Sequence, residues 1–233
     1  MMHERAAEAD IAAVATLLAD PTRARFLAAL GDGRALPAGE LARRARVAPA
    51  TASAHLTKLV DGGFLVVERQ GRHRYFRFAN PALATALEAL AVLAPPAPTR
   101  GLSDSLIARD LCAARCCYDH LAGRLGVAVT GALVSRRTLD VVADGYAVTA
   151  AGERWFAAFG VDLGAVQRHR RRFAPHCLDW SERHHHLAGA LGAALAAQCF
   201  AHGWLARAAS SRAVQVTEAG RTGFQEWFGI AWP

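Results

Sequence analysis

Apolar residues recur at helical spacing from Ile11 to Leu18, and a second helix is predicted from Pro21 through Phe26, Leu27 and Leu30, opened by Asp20 and closed by Gly31-Asp32-Gly33. Glu40 to Ala45 predicts a third helix. After a short turn at Arg46-Val47, Pro49 at a first helical position opens a fourth, which runs to Val60 and stops at Gly62-Gly63. In this fourth helix Leu56, Leu59 and Val60 make one apolar stripe, while Thr51, Ser53, Ala54, His55 and Lys58 lie largely elsewhere. The period then changes to that of a β-hairpin: Phe64 to Arg69, a turn at Gln70-Gly71-Arg72, and His73 to Phe78. A helix from Pro81 to Leu93 follows, and the proline-rich run from Ala94 to Gly101 breaks it. The expected organisation is a domain over residues 1–94, a linker over 95–101 and a second domain over 102–233.

The second half repeats itself. His120-Leu121-Ala122-Gly123-Arg124-Leu125-Gly126 recurs as His186-Leu187-Ala188-Gly189-Ala190-Leu191-Gly192, and Val148-Thr149-Ala150-Ala151-Gly152 as Val216-Thr217-Glu218-Ala219-Gly220. The copies span about 102–161 and 176–233, each reading as helix, strand and helix, the closing helix begun by a Thr cap and ended at Gly. Small residues at every fourth position (Gly123, Val127, Gly131; Gly189, Ala193, Ala197) predict close helix approach, and a pseudo-twofold axis relating the copies would place a shared site near it. The fold class is thus mainly α with small β-hairpins (α+β).

Composition adds a direction. With 53% hydrophobic residues in 233 the chain can bury a real core, and 27 Lys plus Arg against 20 Asp plus Glu give a net charge of +7, which favours a polyanionic partner. All these cations except Lys58 are arginines, as Arg- and Ala-rich codon usage would also produce. No apolar run reaches the ~20 residues of a membrane span, no secretory signal is apparent, and five cysteines are an odd number, so a cytoplasmic protein with reduced thiols and no membrane partner is expected. With charge in view, the third and fourth helices read as a helix-turn-helix and the arginine-rich hairpin after them as its wing. Such a unit sets Thr51, Ser53, Ala54, His55 and Lys58 toward a major groove and Arg69, Arg72, His73 and Arg74 toward phosphates or a minor groove.

Leu18-Ala19-Asp20-Pro21-Thr22-Arg23, Thr51-Ala52-Ser53-Ala54-His55-Leu56, Gly63-Phe64-Leu65 and Gly71-Arg72-His73-Arg74-Tyr75-Phe76 together resemble the ArsR/SmtB family of winged-helix repressors over roughly Ala9 to Leu93. The resemblance implies a homodimer built on the first helix and the Pro81–Leu93 helix, a palindromic double-stranded operator, and repression relieved by an inducer. Three departures qualify it. Ala48-Pro49 stands where family members often carry Ser-Gln, so a side-chain cap and a base-reading amide are missing. The stretch Leu36 to Leu41 has none of the cysteines of arsenic sensors. The Pro81–Leu93 helix offers only Glu88 where zinc sensors use His and carboxylates.

Sensing chemistry is therefore expected in the duplicated half. Cys112, Cys116, Cys117, Asp119 and His120 are placed on its first helix, with Cys116 and His120 four residues apart on one face, and the second copy offers Cys177, Asp179 and His186. Both copies contain Cys-x-Asp followed by His, and the strings around them resemble those of long ArsR-like regulators with a C-terminal extension. Thiolate, imidazole and carboxylate are the ligands of zinc or another thiophilic metal or metalloid; a small-molecule or thiol-reactive effector site and purely structural roles remain open beside it. The effector is unknown at this level. A constitutive DNA-binding protein is the alternative to an effector-released repressor. An enzyme fits poorly, since no Gly-rich nucleotide loop, Gly-x-Ser-x-Gly elbow or His-Glu-x-x-His motif occurs.

Overall fold

The computed structural model describes residues 8–71, 73–95, 98 and 101–233. Its contacts group the chain into two units, one ending at Leu83 and the other running from Ala84 to Pro233, with Gly31–Gly33 counted in the second.

In the first unit, α1 (Ile11–Leu18) and α2 (Pro21–Ala29) precede a short strand β1 (Leu36–Pro37), α3 (Ala38–Ala45), α4 (Pro49–Asp61) and the hairpin β2 (Leu65–Gln70) and β3 (His73–Phe78). The strands form an antiparallel sheet in the order β1-β3-β2. Asp20 caps α2 as its sequence implies, accepting from the backbone N–H of Thr22 and of Arg23 at 2.9 Å. Arg23 closes α1 by donating to the carbonyls of Leu17 and Thr16, both at 2.7 Å. Arg46 takes the left-handed conformation that ends α3, and Ala48 offers α4 no side-chain cap. Phe26, Leu27, Leu41, Leu56, Leu59, Leu65 and Phe76 make the core.

The second unit takes in most of α5 (Ala82–Leu93), followed by α6 (Leu102–Ala113). Its first copy continues with β4 (Arg115–Cys117), β5 (His120–Ala122), α7 (Gly123–Ser135), β6 (Leu139–Val142), β7 (Gly145–Val148) and α8 (Ala150–Phe159). A short α9 (Leu163–Gln167) leads to the second copy: β8 (His176–Leu178), β9 (His185–Leu187), α10 (Gly189–Ala201), β10 (Leu205–Arg207), β11 (Val214–Val216) and α11 (Glu218–Phe228). Thr149 and Thr217 cap α8 and α11, which end on left-handed Gly160 and Gly229.

Three expectations are corrected here. Each copy is hairpin, helix, hairpin, helix, not helix, strand, helix: Ala114 is extended and Tyr118 turns with φ 58°, so Arg115 to Ala122 is a hairpin and Cys116 and His120 share no helix face. The small-residue face holds at its start, where a Cβ on Gly123 would come within 2.7 Å of the Cys112 carbonyl of α6 and one on Gly189 within 2.5 Å of the Arg172 carbonyl, and then drifts to the surface, where a Cβ on Gly131 would meet nothing within 4 Å. Further close approaches, off that face, are made by Gly126 and Gly192, whose Cβ atoms would come within 2.4 Å of the Leu121 carbonyl and 2.6 Å of the Leu187 carbonyl. Lastly, the contacts divide the chain at Leu83, ahead of the prolines. The reason is polar: Glu88 of α5 pairs with Arg212 and lies 3.9 Å from Arg115, and the Val92 carbonyl accepts from Arg183 at 2.5 Å. Most of the expected linker, Pro96, Ala97, Thr99 and Arg100, lies outside the described residues.

The two copies exchange contacts reciprocally, α7 packing on β9 and α10 on β5. Backbone bonds repeat the exchange. Cys116 N–H donates to the Arg212 carbonyl at 3.1 Å and Tyr146 N–H to the Ala174 carbonyl at 2.8 Å. One core thus serves both copies, with Trp155, Trp204 and Trp227 among its aromatic residues. Among the described residues no helix is long and apolar enough to cross a membrane.

Candidate nucleic-acid face and candidate metal centre

On α4 the buried face is Ala52, Leu56 and Leu59, which leaves Thr51, Ser53, Ala54 and Lys58 exposed. His55 behaves differently from its neighbours. It is half-buried and its Nδ1 lies 3.5 Å from the Asp20 carboxylate, so it leans on the cap of α2. In the wing Arg69 and Arg74 face each other across the ladder, as do Gln70 and His73, and Arg69, His73 and Arg74 are exposed. Arg77, by contrast, is paired with Glu68. Arg72 lies outside the described residues. Ser53 of α4 and Arg74 of the wing line one hollow of about 130 Å³, so helix and hairpin open onto a common face.

In the second unit the hairpin register decides which side chains meet. Cys117 pairs with His120 across β4–β5, and Cys177 with His186 across β8–β9, so each copy presents one thiol and one imidazole at the same register position. Reciprocal packing brings the two pairs together. The ligand atoms of Cys117, His120, Cys177 and His186 all lie within 4.8 Å of one another, the two sulfurs at 3.9 Å and the two imidazole rings at 5.2 Å between centroids. His120 and His186 are buried, and none of their four ring nitrogens has a hydrogen-bond partner. These four side chains can hold a thiophilic cation between them.

The two aspartates stand behind the histidines. Asp119 lies 3.6 Å from His120 Nδ1 and is ion-paired with Arg171. Asp179 lies 3.8 Å from His186 Nδ1, and its carboxylate accepts from Arg115 Nη2 at 2.9 Å, Gly123 N–H at 2.6 Å, Ser181 N–H at 2.9 Å and hydroxyl at 2.6 Å, and Glu182 N–H at 3.0 Å. Burial opposes its charge, but Arg115 and these donors hold it well below the usual carboxylate range. The hydrogen bond with Cys177 and burial push the Cys117 thiol up to about 12. Burial works against a charged His120, yet the Cys117 sulfur and the Asp119 carboxylate outweigh it and raise the imidazole to about 9.

Of the seven predicted ligand candidates, four converge and two support them from behind. Cys116 points to the other face of β4, 3.7 Å from an Arg207 nitrogen. Arg115 was missed entirely. Fully buried, it donates to Asp179, Ser181 and the Leu111 carbonyl and lies over the Trp180 ring at 4.3 Å, a role a lone arginine before two cysteines does not signal. Glu88, the one residue matching a family metal position, is engaged by Arg212.

Residues 18–68 match a helix-turn-helix domain family. The chain is 42% identical over 221 residues to an uncharacterised helix-turn-helix transcriptional regulator, YdfF of Bacillus subtilis, covering 95% of this chain and 98% of that one. It is 39% identical over 80 residues to the transcriptional regulator CmtR of Mycobacterium tuberculosis, covering 34% of this chain and 67% of that one. Among solved structures, the cadmium sensor CmtR of the same species shows 34% identity over 39% of this chain and 94% of that chain, with a TM-score of 0.33. The near full-length match, with the helix-turn-helix and wing already described, makes this chain a member of the helix-turn-helix transcriptional regulators, a DNA-binding regulator.

Proposed function

We propose that the protein is a homodimeric, cytoplasmic repressor that reads double-stranded operator DNA and is released when an effector is taken up in its second unit. Thr51, Ser53, Ala54 and Lys58 of α4 face base edges, with His55 at the rim, and Arg69, Arg72, His73 and Arg74 of the wing hold phosphates. Dimerisation uses α1 and α5, in keeping with large apolar residues left exposed on each: Ile11 and Val14 on the first, Leu90 and Leu93 on the second.

One observation carries the effector half of this reading. The loop between Cys177 and His186 takes hold of α5, through Arg183 on the Val92 carbonyl and through Asp179 and Arg115 toward Glu88. Whatever binds between Cys177 and His186 therefore bears on a dimer helix, which supplies the differential contact an effector needs. The test is operator affinity of the full chain at fixed salt, with and without zinc, cadmium, hydrogen peroxide or chelator. A change of about 5–150-fold is expected for the true effector. Affinity unchanged across all of them would favour a constitutive DNA-binding protein.

A further inference from the structure

We infer that Cys117, His120, Cys177 and His186 bind one thiophilic divalent cation of the zinc class in a closed, four-coordinate site that ties the two copies of the second unit together. Three independent features support the assignment. The first is metric. Two sulfurs about 2.3 Å from a zinc ion at the tetrahedral angle stand about 3.8 Å apart, and these two stand 3.9 Å apart with both imidazoles inside the same 4.8 Å cluster.

The second is polar accounting. Four imidazole nitrogens buried without a partner leave their desolvation uncompensated, which native interiors avoid. A cation taking one nitrogen from each ring satisfies two of them, and leaves each Nδ1 turned to a carboxylate, Asp119 for His120 and Asp179 for His186. That is the carboxylate–histidine–metal order which fixes the ring and strengthens it as a ligand.

The third is symmetry. The cysteine and histidine occupy the same register position of equivalent hairpins, and the carboxylate follows the cysteine at the same spacing in both copies. A single cation on the pseudo-twofold axis uses this arrangement fully, whereas unrelated structural roles would not require it twice. Two thiolates and two neutral imidazoles balance a divalent charge, so the ion is held as a neutral assembly by three buried ligands and the partly buried Cys177. Every proton held by the four ligand atoms, on thiol or imidazole, leaves to solvent on binding, because the cation takes thiolate and neutral imidazole. With all four positions filled by protein, the site binds and does not activate water.

The assignment deepens the proposed function and rests on it only for the operator readout. Metal content and cobalt(II) titration of the purified full chain test the site; operator affinity tests the reading. One zinc per chain is expected, as is a thiolate-to-cobalt charge-transfer band in the near ultraviolet with strong tetrahedral d–d absorption. Cys117→Ser and Cys177→Ser should each weaken that band, and Cys116→Ser should leave it unchanged. Asp119→Asn, at a partly exposed position, should lower zinc affinity about 10–100-fold. A wild-type chain that is folded by circular dichroism yet takes up neither zinc nor cobalt with a thiolate band would overturn the site, as would an undiminished band in both ligand variants. Stoichiometric zinc without any effect on operator affinity would leave the site standing and remove the proposed release mechanism.

Discussion

Replacing Asp179 by alanine strips a fully buried arginine of its closest counter-ion. Both side chains are inaccessible to solvent and 2.9 Å apart, and the same carboxylate accepts from the backbone of Gly123, Ser181 and Glu182 and from the Ser181 hydroxyl. Glu88, the other acid near Arg115, lies 3.9 Å away and is already engaged by Arg212, so it compensates little. Removing one partner of a buried pair costs about 3–5 kcal/mol, because the remaining charge stays desolvated. For a unit of this size that corresponds to a melting point lower by about 6–20 °C. The assay is thermal unfolding with chelator in every sample, so that metal affinity does not enter. Asp179→Leu combined with Arg115→Met should recover much of the loss, since neither charge then remains buried. An alanine variant melting within about 2 °C of wild type would refute the reasoning: Asp179 would then not be the hub on which the copies close.

Other expectations are as specific. Arg74→Ala should weaken binding to all DNA sequences and reduce the slope of log affinity against log salt by about 0.9, whereas Ser53→Ala should change sequence preference; anisotropy titrations against operator and random duplex at several salt concentrations separate the two. Asp20→Ala should cost about 1 kcal/mol through loss of the α2 cap, measured by urea unfolding. Because the Arg23 N–H holds the Asp20 carboxyl below its usual value of 3.8, that contribution is present above this pH and disappears as pH falls through the folded value, so wild type and variant should converge in acid. Gly126→Ala drives a methyl to 2.4 Å from the Leu121 carbonyl and should destabilise the second unit by about 1–3 kcal/mol, seen as a lower melting point, while Gly131→Ala, with open space around it, should not.

The first unit was legible because its signals are local. Asp20-Pro21 supplies a cap and a first helical position for α2, Gly62-Gly63 ends α4, and the Phe64–Phe78 stretch alternates with a turn at its centre. In the second unit the sequence by itself determined the duplication, the Thr caps of α8 and α11, and the residue types gathered for metal chemistry. It could not say which of adjacent Cys116 and Cys117 faces His120. A helical period joins Cys116 to His120; a two-residue turn at Tyr118-Asp119 joins Cys117 to His120 and sends Cys116 to the opposite face. Nothing in eight residues chooses between these, because a three-residue strand is not stable alone. The choice is made by packing against the other copy: α10 covers β5, α7 covers β9, and only then do two thiols and two imidazoles from positions some 60 residues apart share one buried point. The ligand types belong to the sequence. Their convergence, with Arg115 and Asp179 holding the copies closed behind them, belongs to the tertiary structure, because long-range burial fixes a register that local preference leaves open.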